Sequence, residues 1–157
     1  MTEAKKNTSI VIWIEDKEEA ELDSELKGWL GHKGIELWHV KSVDKLAEKL
    51  ATIEEEKSIT IRGFIVDMML DGPNNLSSFG LPDVCWREDA DAGRILIEHV
   101  IKKAGSSYEN IPTLVLSVRI HLSNNDFSGF ENIDVVIKRE LGNPDWEKDL
   151  RKWVDRL

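Results

Sequence analysis

The sequence predicts a doubly wound α/β domain, a parallel sheet with helices on both faces. Three observations carry that expectation. Short continuous apolar runs, β-branched and aromatic, recur at Ser9–Ile14, Gly63–Val66, Ile111–Leu116 and Ile133–Ile137. Such runs are the signature of strands buried on both faces. Stretches with helical spacing separate them, and alternating strands and helices build parallel sheets. Four of five expected strands also stop at a polar side chain: Asp16, Asp67, Ser117 and Lys138.

In chain order, a polar tail (residues 1–8) precedes the first strand, which ends at the acids Glu15 and Asp16. From Glu18 the spacing turns helical, with Leu22, Leu26, Trp29 and Leu30 on one face. Gly31 and Gly34 supply its stop. Ile35–Val40 is a strand of mixed pattern. Ser42 is placed to cap a helix that turns Leu46, Ala47, Leu50 and Ile53 inward. The central strand follows and ends at Asp67. Residues 72–91 break the rhythm, with two prolines, several Ser and Asn, Cys85 and Trp86. A connection of that length without regular structure is unusual in a small domain, and only a short turn around Asp83–Glu88 is expected in it. Helical spacing resumes at Gly93, with Leu96, Ile97, Val100, Ile101 and Ala104 inward and Gly105 past the end. Ile111–Leu116 is the next strand, ending at Ser117. Between Arg119 and Asn132 any helix should be short or frayed, given Ser-Asn-Asn-Asp and Ser-Gly. Ile133–Ile137 is the last strand. Asn143-Pro144 opens the last helix, whose apolar stripe is Trp146, Leu150, Trp153, Val154 and Leu157.

The totals bound the function. The 157 residues suit one domain. A net charge of −9 argues against nucleic acid as a partner, because its binders present a basic face. No secretory signal and no apolar run long enough for a membrane span is present. A single cysteine, Cys85, forms no internal disulfide and fits a cytoplasmic location. The six tryptophans fall mostly at core-facing positions and read as packing. His32, His39, His99 and His121 lack metal-ligand spacing. No glycine-rich phosphate loop occurs, and Cys85 has no histidine at a catalytic offset.

Each polar strand end has an ordinary explanation, since strands end at surfaces; Asp67 by itself reads equally well as a turn cap. Together they gain meaning. Parallel strands present their carboxyl ends on one rim, where α/β sheets bind their ligands. Glu15, Asp16 and Asp67 would meet there with a hydroxyl and an ammonium. Carboxylates ~4 Å apart repel by roughly 4 kcal/mol per pair at an effective dielectric near 20. Such a cluster stays ionised only with a cation in it, and hard oxygen ligands in an incomplete cage favour Mg²⁺.

This series resembles the receiver domain of two-component response regulators. The resemblance is carried by Ile14-Glu-Asp16, Ile65-Val-Asp-Met-Met69, Ala90-Asp-Ala-Gly93, Leu116-Ser117 and Ile137-Lys138, and it spans about Ser9 to Leu157. It implies a five-stranded parallel sheet in the flavodoxin-like order 2-1-3-4-5, over residues 9–157, with an insertion at about 72–91. It also implies a phosphoacceptor, Asp67, that takes its phosphoryl group from a histidine kinase or a histidine phosphotransfer protein. Mg²⁺ would be held by Asp16, Asp67 and the main-chain carbonyl of Met69, with Glu15 acting through a coordinated water. Ser117 and Lys138 would bind phosphoryl oxygens. Such a domain is a signalling switch rather than an enzyme, with at most slow self-phosphorylation and self-dephosphorylation. The last helix runs to Leu157, so a downstream partner protein or a phosphorelay successor is the expected output.

The chain departs from that pattern in three places. About twenty extra residues follow Asp67, Arg139 stands where the family has Pro, and Val135 stands where it has Tyr or Phe. These departures favour the rival reading, a receiver-like interaction module that works without phosphorylation. An aspartyl-phosphate hydrolase would place a second acid two residues after the nucleophile, and Met69 is there instead.

Overall fold

The alternation of side chains along the central strands divides the molecule into two cores. In β1 (Thr8–Ile14), Ile10, Ile12 and Ile14 enter one core while Val11 and Trp13 enter the other, and all five are fully buried. This follows from the period of two in an extended chain. A computed structural model describes residues 6–70, 74–88, 91–118, 124–138 and 144–157. β1 lies between β2 (Ile35–Val40) and β3 (Ile59–Val66); β6 (Thr113–Ser117) and β7 (Ile133–Ile137) complete the sheet beyond β3. All four pairings are parallel, in the order β2-β1-β3-β6-β7. Counting only these five strands, the order is 2-1-3-4-5, as expected. α1 (Ala20–Gly31) and α4 (Pro144–Asp155) cover one face. α2 (Val43–Glu55) and α3 (Ala92–Leu96) cover the other.

β3 carries a register shift that bears on the site. Ile10 pairs with Ile61 but Val11 pairs with Gly63, so Arg62 is the extra residue of a bulge. Before it, Ile59 and Ile61 face the first core; after it, Phe64 and Val66 do. The inward set passes from odd to even positions within one strand. Gly63 is required there, because a Cβ would stand 2.8 Å from the Trp153 ring. The bulge thereby sets the register of the last strand residues and of Asp67 just beyond them.

Several local expectations are met. Ser42 Oγ accepts from Lys45 N at 3.1 Å, and Leu46, Leu50 and Ile53 are buried beneath that cap, with Ala47 half-buried. Gly34 and Gly105 adopt left-handed φ of 70° and 82° just past their helices. Trp13, Trp86 and Trp153 are buried, while Trp29, Trp38 and Trp146 pack half-buried against the two cores. No described helix is long and apolar enough to cross a membrane.

Other expectations need correction. The 72–91 stretch is not without regular structure. β4 (Asn75–Leu76) and β5 (Leu81–Cys85) form an antiparallel hairpin, joined by a 3-10 turn at Ser77–Phe79 and by left-handed Gly80. The turn expected over Asp83–Glu88 is therefore strand as far as Cys85. Burial of Leu76 and Trp86 in the first core holds the hairpin, and Ser78 Oγ donates to Asp44 on α2. The helix expected from Gly93 to Ala104 is also different. After Leu96 the chain widens into a π turn, Ile97–Ile101, with Lys102 N donating to Ile97 O at 2.7 Å. A wider turn shifts the inward face by about one residue. Lys102 is consequently buried, while Val100 is half-buried and Ala104 exposed. The strand expected from Ile111 starts at Thr113; the carbonyl of the preceding Pro112 accepts from Phe64 N. Asn143, His121 and Arg139 lie outside the described residues.

Candidate functional site

The carboxyl ends of β1 and β3 are tied together by backbone before any side chain is considered. Asp67 N donates to Ile14 O at 3.0 Å, and Glu15 N donates to Val40 O at 3.0 Å. These bonds continue the parallel ladders one residue past each strand. They hold Glu15 and Asp67 side by side, with Glu15 1% and Asp67 7% exposed. The next acid, Asp16, is half-buried. Glu15, Asp16 and Asp67 each place a carboxylate oxygen within 4.8 Å of the others.

The floor beneath Asp67 is glycine by necessity. Gly93 N donates to Met68 O at 3.0 Å, and a Cβ at Gly93 would run into the carbonyl oxygen of Asp67. Asp67 Oδ1 stands 3.5 Å from Met69 N, and Met69 itself is exposed at the rim. On the β2 side, His39 stacks on Trp13 with 4.5 Å between ring centroids, and its Nε2 lies 2.7 Å from Glu15 O.

Lys138 enters from the end of β7. Its main-chain N donates to Ser117 O at 2.7 Å, which joins the ends of β6 and β7. Ser117 is fully buried, and Val118 after it is 58% exposed. The Lys138 ammonium is buried and donates to Glu15 Oε2 at 3.2 Å and to both Glu19 oxygens, at 3.2 and 3.0 Å. Two carboxylates thus bond one ammonium, and the charge of Asp67 acts on it as well.

The electrostatics follow from that imbalance. Burial pushes the Glu15 carboxyl up, and the negative charge of Asp67 pushes it further, against the pull of Lys138. Burial also raises Asp67, while a hydrogen bond with Glu15 and the charge of Lys138 hold it down. For Lys138 burial works against the charged form, but Glu15, Glu19 and Asp67 together outweigh it and raise the ammonium. The acids are more numerous than one lysine can neutralise.

The donor set suits a hard divalent cation. The three carboxylate oxygens, within 4.8 Å of one another, are close enough to share one such cation. Burial is the first cause of the raised carboxyls of Glu15 and Asp67, and a bound cation would oppose it.

The structure brings together Glu15, Asp16, Asp67 and Lys138, and it sets Ser117 and Met69 on the same rim. Glu19, His39 and the contact role of Gly93 were not assigned from sequence. Glu19 lies in an acidic run, four residues after Glu15, which was the available signal. Nothing local marks His39 or the close approach at Gly93, because both depend on strands or loops distant in sequence.

No protein-family model and no curated protein matches the sequence. Solved structures do. A response regulator receiver domain protein from Clostridium thermocellum aligns at a TM-score of 0.52 and 19% identity, covering 95% of this chain and 92% of that one. The chain has the receiver fold. A two-component response regulator from Cytophaga hutchinsonii aligns at 0.52 and 14% identity, over 97% of this chain and 100% of that chain. The Mn²⁺-bound form of the response regulator Rcp1 aligns at 0.53 and 16% identity, over 94% and 96%. At these identities the likeness concerns the fold alone.

Proposed function

We propose that this receiver accepts a phosphoryl group on Asp67 from a phosphohistidine donor, in a Mg²⁺-dependent step, and signals through a partner protein. The observation that carries the reading is the convergence of Glu15, Asp16 and Asp67 within 4.8 Å at the carboxyl edge of the sheet, with Lys138 beside them. In the step, an Asp67 carboxylate oxygen attacks phosphorus and forms a P–O bond. The P–N bond to the donor imidazole breaks, and the imidazole leaves with its electron pair and takes a proton from solvent. Asp16, Asp67 and the carbonyl of Met69 would hold the cation, with Glu15 behind a coordinated water. When bound, the cation neutralises charge on the transferring oxygens. Ser117 and Lys138 would hydrogen-bond the remaining phosphoryl oxygens. The acyl phosphate carries about −1.5 to −2 of charge in place of the carboxylate's −1 and presents three acceptors at the rim, which is the signal a partner reads.

The donor in this reading is a histidine kinase or a histidine phosphotransfer protein in the cytoplasm. The hairpin within 72–91 is an insertion relative to that domain type, packed on α2. The test is incubation with acetyl phosphate and Mg²⁺ followed by intact mass measurement. One hydroxylamine-labile phosphoryl adduct is expected, absent in Asp67→Ala. If neither acetyl phosphate nor a cognate kinase yields an adduct, the protein is an interaction module instead.

A further inference from the structure

Glu19 occupies the N-cap position of α1, where a short polar side chain ordinarily accepts from the first free N–H groups of the helix. It makes no such bond. Its side chain turns instead to Lys138 and accepts from the ammonium with both oxygens, at 3.2 and 3.0 Å. The ammonium also donates to Glu15 Oε2 at 3.2 Å. The two oxygens of one carboxylate lie too close together to engage separate N–H bonds, so Glu19 and Glu15 hold two of the three ammonium donors, both on the β1–α1 side of the site. A phosphoryl group on Asp67 would compete with these acids for the ammonium. Glu15 is drawn to the cation in the proposed step, which leaves Glu19 as the competitor.

We propose that Glu19 is a positioning residue that holds Lys138 in reserve and sets how tightly the phosphorylated site is closed. This rests on the phosphoacceptor reading and deepens it. In the resting state the bidentate pair keeps the lysine ordered and charged but directed toward α1. On phosphorylation Lys138 leaves Glu19 for the phosphoryl oxygens, and Glu19 is released to solvent or to its helix N-terminus. The exchange has room. Glu19 and Lys138 both line a cleft of about 330 Å³ between α1 and α4, with Val118 and Trp146 on its walls. Glu19 is one-third exposed, so its release carries little desolvation change.

Beryllium fluoride, a phosphoryl mimic, tests the exchange in the presence of Mg²⁺ with tryptophan fluorescence as the readout. Glu19→Gln keeps the shape and removes the charge, and it is expected to bind the mimic about three- to tenfold more tightly than wild type. Glu19→Ser, a good N-cap without a carboxylate, should behave alike and serves if the first variant folds poorly. Glu21→Gln is the charge control. Glu21 lines the same cleft without bonding Lys138, so its removal should change binding less than twofold. Unchanged or weaker binding in both Glu19 variants overturns the proposal, as does an equal gain in Glu21→Gln. A wild-type protein that binds no beryllium fluoride with Mg²⁺ overturns the phosphoacceptor reading and this inference with it.

Discussion

Two buried lysines, Lys138 and Lys102, meet opposite fates in this protein. Both are at least nine-tenths buried. Lys138 lies among Glu15, Glu19 and Asp67, and these charges raise its ammonium despite the cost of burial. Lys102 donates to two main-chain carbonyls, Glu109 O at 2.8 Å and Ile111 O at 2.7 Å. Burial pushes its pKa down to about 8, with the charge of Glu109 opposing only in part. The contrast separates burial from function. A lysine buried against neutral acceptors pins a loop, here the 105–112 connection into β6. One buried against a surplus of acids is a counter-ion, and it can be exchanged for another cation or redirected to another anion.

The sharpest way to break that contrast is to remove each amine in turn. Lys138→Met leaves Glu15, Asp16 and Asp67 without their cation, and loss of one partner from a buried charge pair costs about 3 kcal/mol. Denaturant unfolding at neutral pH should show a loss of that order. The loss should shrink as pH falls toward the raised carboxyl range, and Mg²⁺ should restore much of it. A loss unaffected by either condition would mean that Lys138 packs rather than neutralises.

Metal addition to the wild type is the next effect in size. At a free Mg²⁺ concentration of ~100 times Kd, stability should rise by about 2.7 kcal/mol, and Asp16→Asn should abolish most of the gain. The pH dependence has a definite sign. Glu15 and Asp67 have raised carboxyls, so their contribution to metal-free stability is present at low pH. It is lost as pH rises through the folded-state values, above the usual carboxylate range. Mg²⁺ stabilisation should grow across that same window, and melting curves at pH 5 and pH 8 will show whether it does.

The smallest effect concerns Lys102. Its folded pKa is depressed, so the favourable contribution is full above the unfolded value of 10.5 and is lost as pH falls through about 8. Wild-type stability should rise between these limits relative to Lys102→Met. The variant itself should lose about 1–2 kcal/mol at pH 8, because Glu109 O and Ile111 O lose their donor. Parallel pH profiles for the two proteins would sink the assignment.

Much of this architecture was readable from local pattern. Apolar runs, helical spacing, the Ser42 cap and the glycine stops are encoded within a few residues of where they act. Parallel strands then force Glu15, Asp16, Asp67, Ser117 and Lys138 onto one rim, so the acids' company follows from connectivity. The hairpin was missed because its stability comes from Leu76 and Trp86 docking on a core made elsewhere, not from its own periodicity. The π turn at Ile97–Ile101 was missed because its reward, the seating of Lys102 on two distant carbonyls, is invisible along the helix.

Local spacing and the order of strands and helices were enough to specify the sheet and to gather the acids, because backbone sterics and burial act over short stretches of chain. Which carboxylates take the Lys138 ammonium, where β3 slips by one residue at Arg62, and that Gly93 must lie bare against Asp67 were settled only on folding. Each depends on ångström-scale contact between segments far apart in sequence, and no local pattern encodes such a distance.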